Sequence, residues 1–347
     1  MTNKTDKNTR LPAEWEAQDG VLLAWPHADS DWQPILAQVV PVFLELTRQI
    51  SRFEQILIVT PEPEQVTDQL IGAGISLQRV KIYPMATNDT WSRDFGPMTI
   101  LHDNQPRLLD FGFNAWGLKF AADQDNQITR RLHEAGAFGA TTREVSGLIL
   151  EGGSIESDGA GTLLTTAECL LNPNRNPQLN QAQLEAELKQ LLGAEQILWL
   201  EHGYLAGDDT DSHIDTLARL CPDQTILYVR CDDPQDEHFT ALQLMEKQLQ
   251  EFRTPSDKPY RLLPLPWPQA SYDNEGGRLP ATYANYLVIN EAVLVPTYAD
   301  PADTTALQTI AKAFPGREII PVDCRPLIWQ HGSLHCVTMQ IPQGVLP

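Results

Sequence analysis

Residues 33–60 read QPILAQVVPVFLELTRQISRFEQILIVT, and they hold the unit from which the fold is built. Ile35, Val39, Val42, Phe43, Leu46 and Ile50 recur at the 3.6-residue period. That spacing predicts a helix over 33–51 with one apolar stripe. After the polar break SRFE comes QILIVT (55–60), a short run rich in branched apolar residues, which reads as a buried strand. A one-sided helix running into a buried strand points to layered α/β packing.

Outward from this unit the same order returns. Helical patterns over 64–72, 125–136, 179–192, 235–252 and 302–314 are followed in turn by LQRVKIY (77–83), TTREV (141–145), EQILWL (195–200), YRLLPL (260–265) and REIIPV (317–322). From LQRVKIY onward the units recur at roughly 55–65 residues, which gives about five copies. Further short strands and Gly-, Asn- and Asp-rich turns lie between them, more than a sheet of βαβ units alone requires. The expected class is α/β with about five small mixed modules. The repeat lies in element order, not in residue identity. No linker interrupts it, so residues 11–347 are expected as a single domain behind a polar, flexible tail over 1–10.

Charge narrows the partners. Twenty-five Lys and Arg against 46 Asp and Glu leave a net charge of −21 over 347 residues. This speaks against nucleic acid and anionic membranes, and favours small cations. The five cysteines form no CxxC pair, so neither a zinc site nor a disulfide framework is expected. Their odd number fits a reducing, cytoplasmic setting. The first residues, MTNKTDKNTRLP, lack an apolar segment, and no 18-residue apolar run follows. No phosphate-cradling glycine motif suggests a nucleotide, and no cofactor is expected. Composition does not decide whether the chain is a homo-oligomer.

Four polar segments interrupt the apolar frame. NDTWSRDFGP (88–97) reads as a loop carrying Trp91, Arg93 and Asp94, an aromatic face beside a carboxylate. LEGGSIE (150–156) runs a buried strand into Glu151 and two glycines, which permit close backbone approach. GDDTDSHID (207–215) sets four carboxylates around His213 without the spacing of a calcium loop. Read as a strand, it would point His213 and Asp215 to one face. HGSLHCVTMQIP (331–342) places Cys336, Thr338 and Gln340 on the polar side of an expected strand over 334–341. A thiol with the polar side, a histidine and convergent carboxylates point to nucleophilic chemistry on a cationic carbon. The other four cysteines read as small buried hydrophobes.

Together these segments resemble the agmatine deiminase family, within the guanidine-modifying superfamily that also holds bacterial peptidylarginine deiminases. The likeness opens at LPAEWEAQDGVLLAWPHADSDW (11–32) and runs through NDTWSRDFGP and EGGSIESDGAGTLLTTAECLLNPNRNP (151–177). It continues in GDDTDSHIDTLARL (207–220) and ATYANYLVINEAVLVPTY (281–298), and closes at HGSLHC (331–336). His331-Gly332-Ser333 stands where many members have a glycine run. Ser212 and Thr216 stand where many have glycine and asparagine. The resemblance implies a five-bladed α/β propeller, the pentein fold, of ββαβ modules around one site. It implies hydrolysis of agmatine to N-carbamoylputrescine and ammonia, a step toward putrescine. Cys336 would attack the guanidinium carbon, Asp94 and Asp215 would grip its N–H groups, and His213 would be acid and base. Glu151 would orient His213 and keep it protonated. Asp209 and Asp211 suit the distal ammonium, and Trp91 would line the alkyl chain. Alternatives on the same residues are deimination of peptidylarginine or free arginine, or polyamine binding without catalysis.

Overall fold

A computed structural model describes residues 8–347. Among them the chain forms five small mixed sheets of one plan. In the first, Met98–His102 and Gln105–Gly112 form an antiparallel pair, the Ile128–Glu134 helix crosses over, and Thr142–Ile149 returns parallel. The second repeats this with Glu156–Ser157, Thr162–Thr166, the Gln181–Leu192 helix and Gln196–Leu200. The third uses Ala218–Cys221, Thr225–Val229, the Phe239–Glu251 helix and Arg261–Leu265. The fourth uses Leu287–Ile289, Ala292–Thr297, the Asp303–Ala313 helix and Glu318–Asp323.

The fifth sheet joins the two ends of the chain. Met339–Pro342 lies antiparallel to Gln18–Ala24; the Leu36–Ile50 helix then leads to Gln55–Thr60, parallel to Gln18–Ala24. The Pro63–Gly72 helix adds Val80–Pro84 as an outer strand. The count of five therefore stands, with a different membership: the units ending at residues 60 and 84 share one sheet. Hydrophobic burial explains the central strands. Thr162–Thr166 and Thr225–Val229 are buried along their length, as expected where a helix covers one face and a neighbouring layer the other. The Leu36–Ile50 helix buries Val39, Val42, Phe43, Leu46 and Ile50, the stripe expected from the sequence. Ile35 instead ends a short 3-10 turn, Gln33–Ile35, begun by Pro34.

Residues 1–7 of the expected tail lie outside the described residues. Thr9 and Arg10 are not tail: they pair with His102 and Leu101 as a short strand. No helix of the described residues is long and apolar enough to cross a membrane.

The plan decides where function sits. Each sheet's first strand is preceded by a tight connection, and five polar or small residues stand two to four positions before those strands: Asp94, Gly153, Asp215, Asn285 and Cys336.

Candidate active site

The expected strand around Cys336 is a turn. Leu334–Val337 folds back, the Thr338 N–H donating to the His335 carbonyl at 3.0 Å, and regular pairing starts only at Met339. Cys336 is therefore aimed by turn geometry and not by strand alternation. Asn285 holds it: its Oδ1 accepts from the backbone N–H groups of His335 (2.9 Å) and Cys336 (3.3 Å) and lies 3.4 Å from the thiol. Cys336 is 6% exposed and lines a cavity of about 470 Å³.

His213 and Asp215 likewise do not lie on a strand. His213 precedes a 3-10 turn, Ile214–Thr216, that carries Asp215, and the strand begins at Ala218. Asp94 sits on a helical turn, Ser92–Phe95, within the expected loop. The site is nevertheless one place. Asp215 Oδ2 lies 3.9 Å from the Cys336 sulfur and accepts from Asn285 Nδ2 at 3.1 Å. Asp94 Oδ1 is 3.7 Å from His213 Nδ1 and accepts the Gly153 N–H at 2.9 Å, while its Oδ2 accepts from Trp116 Nε1 at 2.9 Å. The two glycines are required by this closeness. A Cβ on Gly153 would stand 2.7 Å from His213 Nδ1 and 2.8 Å from Asp94 Oδ1; one on Gly152 would stand 2.2 Å from the Arg93 carbonyl.

Three buried atoms at the centre have no hydrogen-bond partner among the described residues: both ring nitrogens of His213 and Asp215 Oδ1. Buried polar groups are almost always satisfied, so three such atoms side by side leave donor and acceptor capacity that a polar ligand could take up.

Burial sets the protonation of the empty site. It pushes the Cys336 thiol well above its ordinary range, and the Asp215 and Asp94 charges add to this. Burial, then Asp215 and Glu151, hold Asp94 well above the usual carboxylate range. Asp215 goes the other way. Burial raises it, but the hydrogen bond and charge of His335, with His213 and Arg219, carry it below its ordinary value. His213 falls to about 3, chiefly through burial, with Arg175 and Lys119 opposing the pull of Asp215 and Asp211. The empty centre thus holds a thiol, a neutral imidazole, an Asp94 that retains its proton well above the ordinary range and an ionised Asp215. A cation seated between the carboxylates would favour the ionised forms of both Asp94 and Cys336.

Glu151 is expected to orient His213, and its side-chain partner is Arg175. Its two oxygens accept from Arg175 Nε at 2.9 Å each, and no bond joins it to His213. A carboxylate oxygen, the Cys169 sulfur and a His213 nitrogen do lie within 4.8 Å of one another. Arg93 is 4% exposed and reaches Glu14 and Gln340. Glu14 meets Arg219 at 2.6 Å and His335 Nε2 at 2.8 Å, and His335 Nδ1 meets Asp215 Oδ2 at 2.7 Å. His335 thus backs Asp215 from the side away from the cavity.

Toward the mouth, the Trp91 ring forms a wall, packed 5.6 Å from Trp32 and 6.5 Å from Trp116 between ring centres. Gly332 lies so close that a Cβ would be 2.1 Å from the Trp91 ring. Asp29, Asp31, Asp208 and Asp209 also line the cavity, and no Lys or Arg of the described residues does. Asp211 is not among the lining residues. It pairs with Lys119 at 2.8 Å and Arg175 at 2.7 Å, which removes it as a ligand for a substrate ammonium. The sequence reading does not single out Asn285, Trp116 or Arg175, and it gives His335 no role. Asn285 carried a signal all the same, since it stands before the first strand of its module as Asp94, Asp215 and Cys336 do.

A thiol, an imidazole and two carboxylates around an unsatisfied, cation-seeking pocket on five ββαβ sheets define a guanidine-modifying type of site. Residues 10–342 match the Porphyromonas-type peptidyl-arginine deiminase family, and the chain belongs to that family. It is 32% identical to the agmatine deiminase of Stutzerimonas stutzeri over 96% of this chain and 95% of that one. A Porphyromonas gingivalis structure with a provisional arginine deiminase name superposes with a TM-score of 0.93 at 48% identity, covering 98% of this chain and 100% of that one. A C. jejuni agmatine deiminase, a cysteine-to-serine variant with substrate bound, superposes with a TM-score of 0.89 at 38% identity, covering 97% of each chain.

Proposed function

We propose that this chain is an agmatine deiminase, a hydrolase that converts agmatine to N-carbamoylputrescine and ammonia through a covalent thiouronium on Cys336. The guanidinium lies between Asp94 and Asp215, which accept its N–H groups in fork geometry and fix its plane. Its charge brings Asp94 and the Cys336 thiol into their ionised forms. The thiolate adds to the guanidinium carbon. His213 takes up the proton that the Cys336 thiol loses, delivers it to the departing nitrogen, which leaves as ammonia, and then takes one from the attacking water. Collapse of the second adduct frees the ureido product and returns Cys336. Glu151 contributes charge near His213 at a distance instead of orienting it. No metal or cofactor enters the proposal.

The observation that carries the substrate assignment is the cavity wall, which is acidic and aromatic and, among the described residues, contains no Lys or Arg. Agmatine ends in an ammonium and suits Asp209 there, with Trp91 against the alkyl chain. Free arginine would bring a carboxylate into the same acidic mouth, and such like-charge juxtaposition costs several kcal/mol. Peptidylarginine carries no such charge and is the second reading, favoured by the family to which residues 10–342 match. A polyamine binder needs no nucleophile. In keeping with the proposal, residues 11–347 form one catalytic domain whose five sheets are the blades of an α/β propeller around the site. The five unpaired thiols suit the cytoplasm. The deciding experiment is ammonia release from agmatine, arginine and an arginine peptide at fixed ionic strength. Agmatine is expected to be preferred by about a thousandfold over arginine. Equal or better turnover of either rival overturns the substrate. Thiol labelling blocked by agmatine without ammonia release would favour a binder.

A further inference from the structure

The Arg175 side chain is wholly buried, lies outside the reacting centre, and joins Glu151 to the Thr210–Asp211 loop. Its Nε–H serves both oxygens of Glu151, beside His213. Its Nη1 donates to Asp211 Oδ2 at 2.7 Å and its Nη2 to the Thr210 carbonyl at 2.9 Å. Thr210 in turn accepts the His213 backbone N–H on its hydroxyl at 3.1 Å. Lys119 closes the loop from outside, donating to the Asp209 carbonyl at 2.6 Å and to Asp211 Oδ1 at 2.8 Å. The loop needs this restraint. Asp211 and Ser212 hold φ of 65° and 64°, a left-handed conformation that non-glycine residues keep only where surroundings impose it.

We propose that Arg175 is a positioning residue for both ends of the substrate. One edge of its guanidinium fixes Glu151 beside His213. The other fixes the Thr210–Asp211 backbone that presents Asp209 to the distal ammonium. A lysine would supply the charge without the planar fork that spans these partners. The proposal rests on the agmatine reading, because it assigns the distal arm to an ammonium.

The test compares agmatine with n-butylguanidine, which has the same chain without the amine. kcat and KM for both are measured in wild type, Asp211→Asn, Arg175→Lys and Arg175→Gln, with folding checked by thermal unfolding. Asp211→Asn weakens the loop arm, at its Arg175 and Lys119 contacts, and leaves the Arg175–Glu151 arm intact. It is expected to lower the agmatine-to-butylguanidine ratio of kcat/KM by about tenfold, through KM for agmatine, with butylguanidine little changed. Both Arg175 variants are expected to lose the same preference and, in addition, kcat for both substrates. A folded Asp211→Asn enzyme that keeps the wild-type ratio, or loses both substrates equally, overturns the proposal; that arm decides even if Arg175→Gln does not fold. Wild-type enzyme that turns over butylguanidine as well as agmatine overturns the agmatine reading itself, and the distal half of this proposal with it, before any variant is measured.

Discussion

At the floor of the site, Cys336, His213, Asp94 and Asp215 come from three separate connections, none is more than 6% exposed, and Cys336 and Asp94 line the cavity. At the mouth, Asp208, Asp209 and Asp211 come from one loop and are half-buried. The floor is held by backbone hydrogen bonds, glycine contacts and buried side chains, and the mouth by two cations stitched along a strained loop. Charges out of water interact strongly and choose their protonation accordingly, while half-exposed ones are screened. The floor should therefore control the chemical step, and the mouth should control which guanidine is chosen.

The floor is broken most completely through its nucleophile. Cys336→Ser is expected to lower ammonia release from agmatine about a thousandfold or more while agmatine still binds by calorimetry. Turnover above a few per cent of wild type would remove Cys336 from the mechanism. Gly153→Ala comes next. Its added methyl cannot avoid His213 and Asp94, and displacement of about an ångström in such a centre costs about a hundredfold in kcat. A near-normal kcat would mean that the floor is more yielding than its contacts imply.

The two clamp carboxylates sharpen the comparison within the floor. Asp94→Asn and Asp215→Asn should each cost about 2–5 kcal/mol in kcat/KM. Asp215→Asn should cost more, because Asp215 is already ionised in the empty site and also meets Asn285 and His335. The reverse order would reassign the principal anchor to Asp94. At the mouth, Asp209→Asn should cost only about tenfold for agmatine and leave n-butylguanidine nearly unchanged. Equal losses on the two would show that Asp209 does not meet the amine.

The smallest expected effect is a proton. Burial, with Asp215 and Glu151, raises Asp94, so in the empty enzyme it stays protonated at pH values where a free aspartate is ionised. A guanidinium favours the ionised form, so binding expels that proton. Affinity should then rise with pH from the ordinary carboxylate range up to the raised value, and level off above it. Calorimetry of agmatine binding to Cys336→Ser in two buffers of different ionisation enthalpy reads this directly. Net proton uptake would reverse the assignment of the protonated partner.

Much of this was legible along the chain. Helices, return strands and the number of modules follow from periodicity, because burial of one face writes a local pattern. Asp94, Glu151, His213, Asp215 and Cys336 were visible as polar, glycine-flanked interruptions of that pattern, and the structure gathers them into one buried cluster, of which Asp94 and Cys336 line the cavity. Local pattern misled where a turn resembles a strand. HCVTMQI alternates as a strand would, yet Asn285, some 50 residues away in sequence, holds its first residues in a turn. It was silent where a residue acts through distant partners. Arg175 looks like any loop arginine until Glu151 and Asp211 close around it. Likewise, residues 339–342 and 18–24 each read as a strand, but only folding pairs the chain's two ends in one sheet. Sequence by itself determined the amphipathic helices, the return strands and the segments that carry chemistry, since those follow from neighbours along the backbone. Tertiary structure alone decided the aim of each side chain and the charge it carries, since burial and hydrogen bonding depend on groups brought together from all five modules.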